Sequence, residues 1–558
     1  MTKNEKQIDA HLPATTEVSS VEETQSAEWT KADEKRIRRK MDIRIVPTVL
    51  MLYLMCFIDR ANIGNARIQG MQKDLHLTGY RFNWALTIFY LAYIGTEIPS
   101  NLVLKIIGAR IFLPSIVISF GMICMCHAFL TSFDGLLVAR FFLGLAEGGT
   151  LPGIAYYLSC FYRRHELLFR VGIFIQGTTL AGAFGGLLAA GLSPIPKWGV
   201  ASRPIYNWRN IFFFEGLFTV LVSGLAIFIL PSTPDKCKFL SEKDRFIALE
   251  RINREHKETA AEKTQAKHIK RGILNINNII CGLGYLVVNV SVQSFSLFLP
   301  TILNALGWTA LKTQFYSVPP YAVACLWSIL IFRLSDVYKR RGIFLALNSI
   351  LAIIGYALLA TSKSNSVKYG AVFLAAMGAF PGGPIWLSWG LNNAAGQSVR
   401  AVSGAYIVSI GSSGALLAVW TYLDKDKPLY KRGHYINVGA SCLAGLLAVV
   451  AIVYTKWENR MREQGKRDGR LAGLSEEEKI ELGYRHPEFR KQEIEEMLRG
   501  AGKGEKFELS EMNYLQNDEE SLGKHVPGYF FLQPLTTKSN LTKHNLTKAD
   551  EKLDLFVI

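Results

Sequence analysis

Six ionisable side chains lie deep inside long apolar stretches: Asp59, Arg60, Glu97, Arg140, Glu147 and Glu215. A charge at the centre of a membrane span costs about 2.5–3.5 kcal/mol on insertion scales, so each of them calls for a reason. Two arginines among four carboxyls suit the joint handling of an organic anion and a proton. A guanidinium stays protonated and can hold a carboxylate in a bidentate fork. A carboxyl beside it can serve as ion-pair partner or as neutral acid, because burial favours the neutral form and the arginine favours the charged one. If anion and proton bind together, the net charge of the site is unchanged, which is symport in outline. On this reading Asp59 and Glu147 couple the proton, Arg60 and Arg140 bind the anion, and Glu97 and Glu215 brace or gate. The competing structural reading is a buried ion-pair lattice that only ties helices together, and it weighs most on Glu97 and Glu215.

Spacing refines these roles. Arg140 and Glu147 are seven apart, two helical turns, so they share a face about 10 Å apart along the axis and are expected to pair with groups on other helices. Asp59 and Arg60 are adjacent and point about 100° apart, so one can face a cavity while the other braces a neighbour. The second half of the chain carries no Asp, Glu, Lys or Arg away from the ends of its apolar stretches. Its polar groups there are uncharged: Asn289 and Gln293, and the segment AFPGGPIWLSWGLNNAAG (379–396) with Trp386, Trp389, Asn392 and Asn393. Prolines in that segment loosen a helix and free backbone groups near a cavity. Asn289, Gln293, Trp386, Asn392 and Asn393 are therefore expected on a substrate-binding wall, against the alternative of interhelical hydrogen bonding. Gly144 with Gly148, Gly182 with Gly186 and Gly378 with Gly382 have the small-xxx-small spacing that lets helices approach closely.

These residues need helices to hold them. A span takes about 20 apolar residues, and the pattern predicts spans near 45–65, 83–104, 111–130, 135–158, 169–193, 209–230, 274–299, 314–333, 343–361, 369–391, 401–422 and 436–455. The seventh and tenth are interrupted by polar residues or Pro and Gly. The expected fold is thus all-α and integral to the membrane, twelve helices in two six-helix bundles at 44–230 and 273–455. A polar loop at 231–272 joins the bundles, with a surface helix expected over 239–258. Tails at 1–43 and 456–558 flank them, the last with partial helix near 475–500 and disorder after about 505. Lysines and arginines gather in EKRIRRKMDIR (34–44), at Arg110, at Arg163, Arg164 and Arg170, in 231–272, at Lys339, Arg340 and Arg341, and at Arg400. All fall on one side if the count is even, which places both termini in the cytoplasm. The segment 423–432, on the other side, mixes charges of both signs.

Bulk properties exclude other classes. The net charge of +17 over 558 residues is spread through tails and alternate loops rather than on one module, so nucleic acid is not an expected partner. The eight cysteines show no zinc or redox spacing. No Walker motif suggests an ATP-driven pump, no catalytic constellation suggests an enzyme, and no metal or cofactor is expected. Residues 1–30 are polar and acidic without an early apolar run, so no cleavable leader is expected. The sequons at Asn540 and Asn545 would face the cytoplasm and stay unused.

CFIDRANIGNA (56–66), EIPSNLVLK (97–105), RFFLGLAEGGTLPG (140–153), WRNIFFFEG (208–216) and LSDVYKRRG (334–342) resemble the major facilitator superfamily, and more closely its anion:cation symporter branch, in the fungal allantoate-permease-like group. The likeness runs from about 36 to about 490, where GYRHPEFR (483–490) resembles the group's tail. It implies alternating access around a central cavity, with proton coupling and anion binding at Asp59, Arg60, Arg140 and Glu147. LVLKIIGAR (102–110) lacks the acidic residue of the superfamily's loop 2–3 motif, which Asp336 retains in loop 8–9, so Asp336 is a gating residue on this resemblance. The group carries nicotinate, allantoate, pantothenate and similar carboxylates, which makes a nicotinate-like monocarboxylate the first expectation for cargo. A monomer in the plasma membrane, with proton, anion and lipid bilayer as its partners, completes the reading. Two others compete: proton-driven efflux of an acidic metabolite, and a transceptor that signals through its C-terminal tail.

Overall fold

The computed structural model describes residues 29–200, 203–259, 266–338, 340–394, 397–471, 473 and 485–487. The partial helix expected near 475–500, apart from residues 485–487, and the sequons lie outside them. Apart from one short hairpin pairing Trp198–Val200 with Arg203–Ile205, the described elements are helical. Among the described residues nine helices are long and apolar enough to cross a membrane.

Helix α1 spans Lys31–Ala66 and starts on a capping box, in which Thr30 accepts from the Asp33 amide and Asp33 accepts from the Thr30 amide. At about 1.5 Å per residue it is some 54 Å long, so its first turns project beyond a bilayer core. It runs on through a π-helical turn, Arg67–Met71, where Gly70 takes φ 109°, a value that suits only glycine. Then follow α2 (Arg81–Ile107), α3 (Ala109–His127), α4 (Phe133–Glu147), α5 (Thr150–Ser159), α6 (Arg164–Ile175), α7 (Gly177–Leu192) and α8 (Trp208–Ile229). Loop helices α9 (Glu242–Thr259) and α10 (Ala266–Ile273) lead to α11 (Ile276–Asn304), α12 (Ala310–Tyr338), α13 (Arg341–Thr361), α14 (Asn365–Ala379), α15 (Gly382–Asn392), α16 (Gln397–Ala418) and α17 (Lys431–Glu463).

The spans expected at 83–104, 135–158 and 401–422 fall on α2, on the α4–α5 pair and on α16, which are not among the nine. Residues Gly148 and Gly149 interrupt α4–α5, and α2 carries Glu97 amid Thr96, Ser100 and Asn101. The polar residues that interrupt the seventh apolar stretch do not break its helix: α11 is one continuous helix of 29 residues whose Pro300 sits near its end. The tenth does break, between α14 and α15 at Phe380 and Pro381. The surface helix expected at 239–258 is α9.

Glycine spacing sets the closest approaches. A Cβ on Gly144 would lie 2.3 Å from the Phe89 carbonyl oxygen, and one on Gly148 2.6 Å from that of Tyr93, so α4 lies against α2 at backbone distance. Across the halves, Gly182 and Gly186 of α7 receive Tyr321 and Ser317 of α12.

The two ends of the molecule are built differently. At the end reached by the start of α1, ion pairs join α1, α6, α9 and the α5–α6 turn: Asp244 receives Arg36 at 2.9 Å and Lys40 at 2.8 Å, Glu166 receives Arg38 at 3.1 Å and Arg251 at 3.4 Å, and Arg163 meets Glu34 at 3.0 Å. At the other end the two halves of the chain are stitched together. Arg67 pairs with Asp424, Gln72 donates to Asp424 at 2.7 Å, Gln69 donates to Gln314 at 3.0 Å, and Asn83 donates to the Val419 carbonyl at 2.5 Å.

Candidate functional site

A cavity of about 670 Å³ lies between the halves, below the stitched end. Its walls come from α1, α2, α5, α6 and α7 on one side and from α11, α15 and α16 on the other. Three side-chain stripes at helical spacing line it: Tyr53, Phe57 and Arg60 on α1, Tyr90, Tyr93 and Glu97 on α2, and Tyr285, Asn289 and Gln293 on α11.

Arg60 is the charged centre of this wall. Only 6% exposed, it donates through Nη2 and Nε to the Glu147 carboxylate oxygen Oε2, at 2.8 and 3.1 Å. The Cys56 thiol donates to the same oxygen at 3.4 Å. Four rings surround the guanidinium, with centroids at 4.6 Å for Phe57, 4.8 Å for Tyr93, 5.3 Å for Phe89 and 5.9 Å for Tyr90. Aromatic faces stabilise a desolvated cation. Glu147 itself is fully buried behind Arg60, and its other oxygen, Oε1, has no hydrogen-bond partner among the described residues.

Of the residues expected to bind substrate, Arg60, Asn289, Gln293 and Asn392 line the cavity. Gln293 accepts from the Tyr90 hydroxyl at 2.9 Å, joining the two walls, and Asn289 donates to the Gly411 carbonyl at 2.8 Å. The others are not brought to the wall. Trp386 is fully buried, stacked on Trp389 with centroids 5.6 Å apart and wedged against α11 at Gly284, because the face of α15 that carries both rings turns inward to its own half. Asn393, also buried, donates to the Trp389 carbonyl at 3.2 Å. Arg140 is 1% exposed, lies over the Phe212 ring at 5.8 Å, and forms no ion pair among the described residues.

Asp59 is fully buried off the cavity lining while its neighbour Arg60 is on it, consistent with the about 100° between adjacent helical residues. Neither oxygen of Asp59, neither oxygen of Glu215, nor Nε or Nη2 of Arg140 has a hydrogen-bond partner among the described residues. Glu215 borders a separate apolar pocket of about 220 Å³ with Met55, Ile58, Leu188 and Phe218. Glu97 lies on the cavity wall and is 8% exposed. Asp336, at the end of α12, is exposed and pairs with Arg341 at 3.0 Å. No group of three or more His, Cys, Asp or Glu gathers as a metal site among the described residues.

Sequence reasoning missed Arg400, which lines the cavity and donates from Nε to the Ala394 carbonyl at 3.2 Å. The hydropathy pattern puts it in a loop, one residue before the span expected from 401, whereas α16 starts at Gln397. The aromatic wall was also missed. Its signal was present in the i, i+3 or i+4, i+7 spacing that ends in Arg60 and in Glu97.

Residues 49–419 match the family model described as Major Facilitator Superfamily. The chain is 31% identical over 435 residues to the MFS-type transporter efuF of Hormonema carpetanum, covering 77% of this chain and 86% of that protein. It is 32% identical over 455 residues to a transporter of Schizosaccharomyces pombe, covering 81% and 89%. The crystal structure of a D-xylose-proton symporter superposes with a TM-score of 0.56 at 12% identity, covering 73% of this chain and 97% of that one.

Proposed function

This chain belongs to the Major Facilitator Superfamily, and from that premise we propose that it is a secondary active transporter that carries a small organic anion, a carboxylate, together with a proton by alternating access. It is a multi-pass membrane protein of a transporter family. Twelve spans in two six-helix halves, with both termini cytoplasmic, follow from counting α2, α4–α5 and α16 as spans and from the basic flank 34–44.

The observation that carries the anion reading is the Arg60–Glu147 pair at the cavity wall. Glu147 occupies the guanidinium edge that a substrate carboxylate would need. Protonating Glu147 releases that edge, and the incoming carboxylate takes it. The site gains one proton and one anion, so its net charge stays constant, which matters where charge is costly to bury. The rings around Arg60 hold the cation while its partners exchange. With the Arg67–Asp424 end closed, the cavity faces the end that carries the start of α1, so opening toward the opposite side requires the stitched contacts to part.

Uptake of radiolabelled carboxylates into cells expressing the full chain, with and without an uncoupler, tests this. Accumulation is expected to collapse with the uncoupler, and Arg60→Gln is expected to lower it by at least about a hundredfold, the lower end of the scale for two lost charge-assisted bonds. Uptake indifferent to both would overturn the proposal.

A further inference from the structure

The cavity is larger and more apolar than a pyridine-sized acid needs. Nicotinate has nine non-hydrogen atoms. Even at the roughly 30 Å³ that a molecule takes up in liquid water, nine atoms fill no more than about 270 Å³, against a cavity of about 670 Å³. The walls do not favour a small hydrophilic acid either. Aromatic side chains run from Tyr53 and Phe57 to Tyr285 on the facing wall. The polar groups between them are already committed in part: the Gln293 oxygen to Tyr90, and the Asn289 amide to the Gly411 carbonyl. Gln293 keeps its amide N–H groups as donors and Asn289 keeps its oxygen as an acceptor, with Asn392, Ser409 and Ser412 as further polar side chains on the lining. A small polar ligand there would leave apolar wall facing water, whereas cavities of this size and lining bury most of a drug-sized ligand.

Charge limits the ligand further. Arg60 can grip one carboxylate once Glu147 lets go. Glu97 adds a carboxyl to the same wall, which works against a second anionic group nearby. Arg400 lines the cavity from α16, in the other half.

We propose that the substrate is a bulky amphipathic monocarboxylate, with an aromatic or alicyclic body of about twenty non-hydrogen atoms and its carboxylate on Arg60. The body lies between the α1–α2 aromatics and Tyr285, with one hydrogen-bonding group at Asn289 and Gln293. This rests on the anion-transport reading above and narrows it from small acids to large ones.

The test is binding to the purified full chain in nanodiscs, with nicotinate and with 1-pyrenebutyrate, an acid of twenty-two non-hydrogen atoms. The neutral amide of each acid and the Arg60→Gln variant report what partitions into lipid alone. Pyrenebutyrate is expected to bind at least about tenfold more tightly than nicotinate in the Arg60-dependent component, and its amide is expected to lack that component. Ser409→Trp, which fills cavity volume from α16, is expected to weaken pyrenebutyrate at least about tenfold more than nicotinate. Nicotinate binding as tightly as pyrenebutyrate, or a tryptophan that weakens both equally, overturns the size proposal and leaves anion transport standing. If neither acid binds in an Arg60-dependent way, the anion reading fails and takes this one with it.

Discussion

Glu147→Gln is the substitution that separates binding from coupling. On the proposed mechanism, a substrate carboxylate competes in the wild type with Glu147 for two N–H groups of Arg60, held at 2.8 and 3.1 Å. A hydrogen bond to a charged group is worth about 1.5–3 kcal/mol net. Glutamine leaves the guanidinium with a neutral partner, so at alkaline pH, where the competing carboxylate is charged, the variant should bind the anion more tightly by at least one such bond. At about 1.4 kcal/mol per decade that is roughly 10- to 150-fold. The variant cannot carry the proton, so gradient-driven accumulation should be lost while exchange of internal for external substrate persists. Removing one partner of a buried pair can cost about 3–5 kcal/mol of stability. Here the glutamine oxygen and the four rings around Arg60 remain, so the fold should survive and thermal unfolding checks that it does. The assay is anion binding across pH together with uptake and counterflow in proteoliposomes. A variant that still accumulates substrate against a gradient, with wild-type pH dependence of binding, would refute the reasoning.

Three further outcomes follow from other parts of the molecule. Cysteines replacing Gln69 and Gln314, whose side-chain tips meet at 3.0 Å, are too short to bond directly but should be bridged by a short bifunctional methanethiosulfonate, which should stop transport until a reductant cleaves it; continued turnover with the bridge in place would show that this end need not open. Gly144→Val puts a Cβ 2.3 Å from the Phe89 carbonyl oxygen, so thermal unfolding in detergent should report a loss of about 1–3 kcal/mol or more from overpacking. Burial works against the charge of Asp244, but hydrogen bonds from Lys40 and Arg36 outweigh it and hold this loop carboxyl below its ordinary value of 3.8. A carboxyl depressed in the folded state adds stability above its unfolded value and loses that contribution as pH falls. Asp244→Asn should therefore speed protease cleavage within 231–272 at neutral pH, and its difference from wild type should fade as pH drops below 3.8.

Hydropathy and glycine spacing make much of this architecture legible in the sequence. The charged types at the site were legible too, but their partners were not. Arg60 and Glu147 lie 87 residues apart, and nothing local in either helix encodes which carboxyl meets which guanidinium. Seven-residue spacing indicated that Arg140 and Glu147 would look elsewhere for partners. Glu147 does, whereas Arg140 packs over Phe212. Helix rotation was the harder quantity. Trp386 and Asn392 share α15, yet only Asn392 reaches the cavity, since six residues on a helix put the two side chains about 120° apart. Asp424 was read as one charge in a loop of mixed sign, and only long-range packing reveals Arg67 as its partner.

The two walls of the cavity divide their labour. Arg60 and Glu147 come from the first half, whereas the facing wall is mostly uncharged side chains of α11, α15 and α16. If the proposed coupling at Arg60 and Glu147 holds, point changes on the facing wall can alter the cargo while that pair stays untouched, so duplicates of this chain can diverge in what they carry without rebuilding how they are driven.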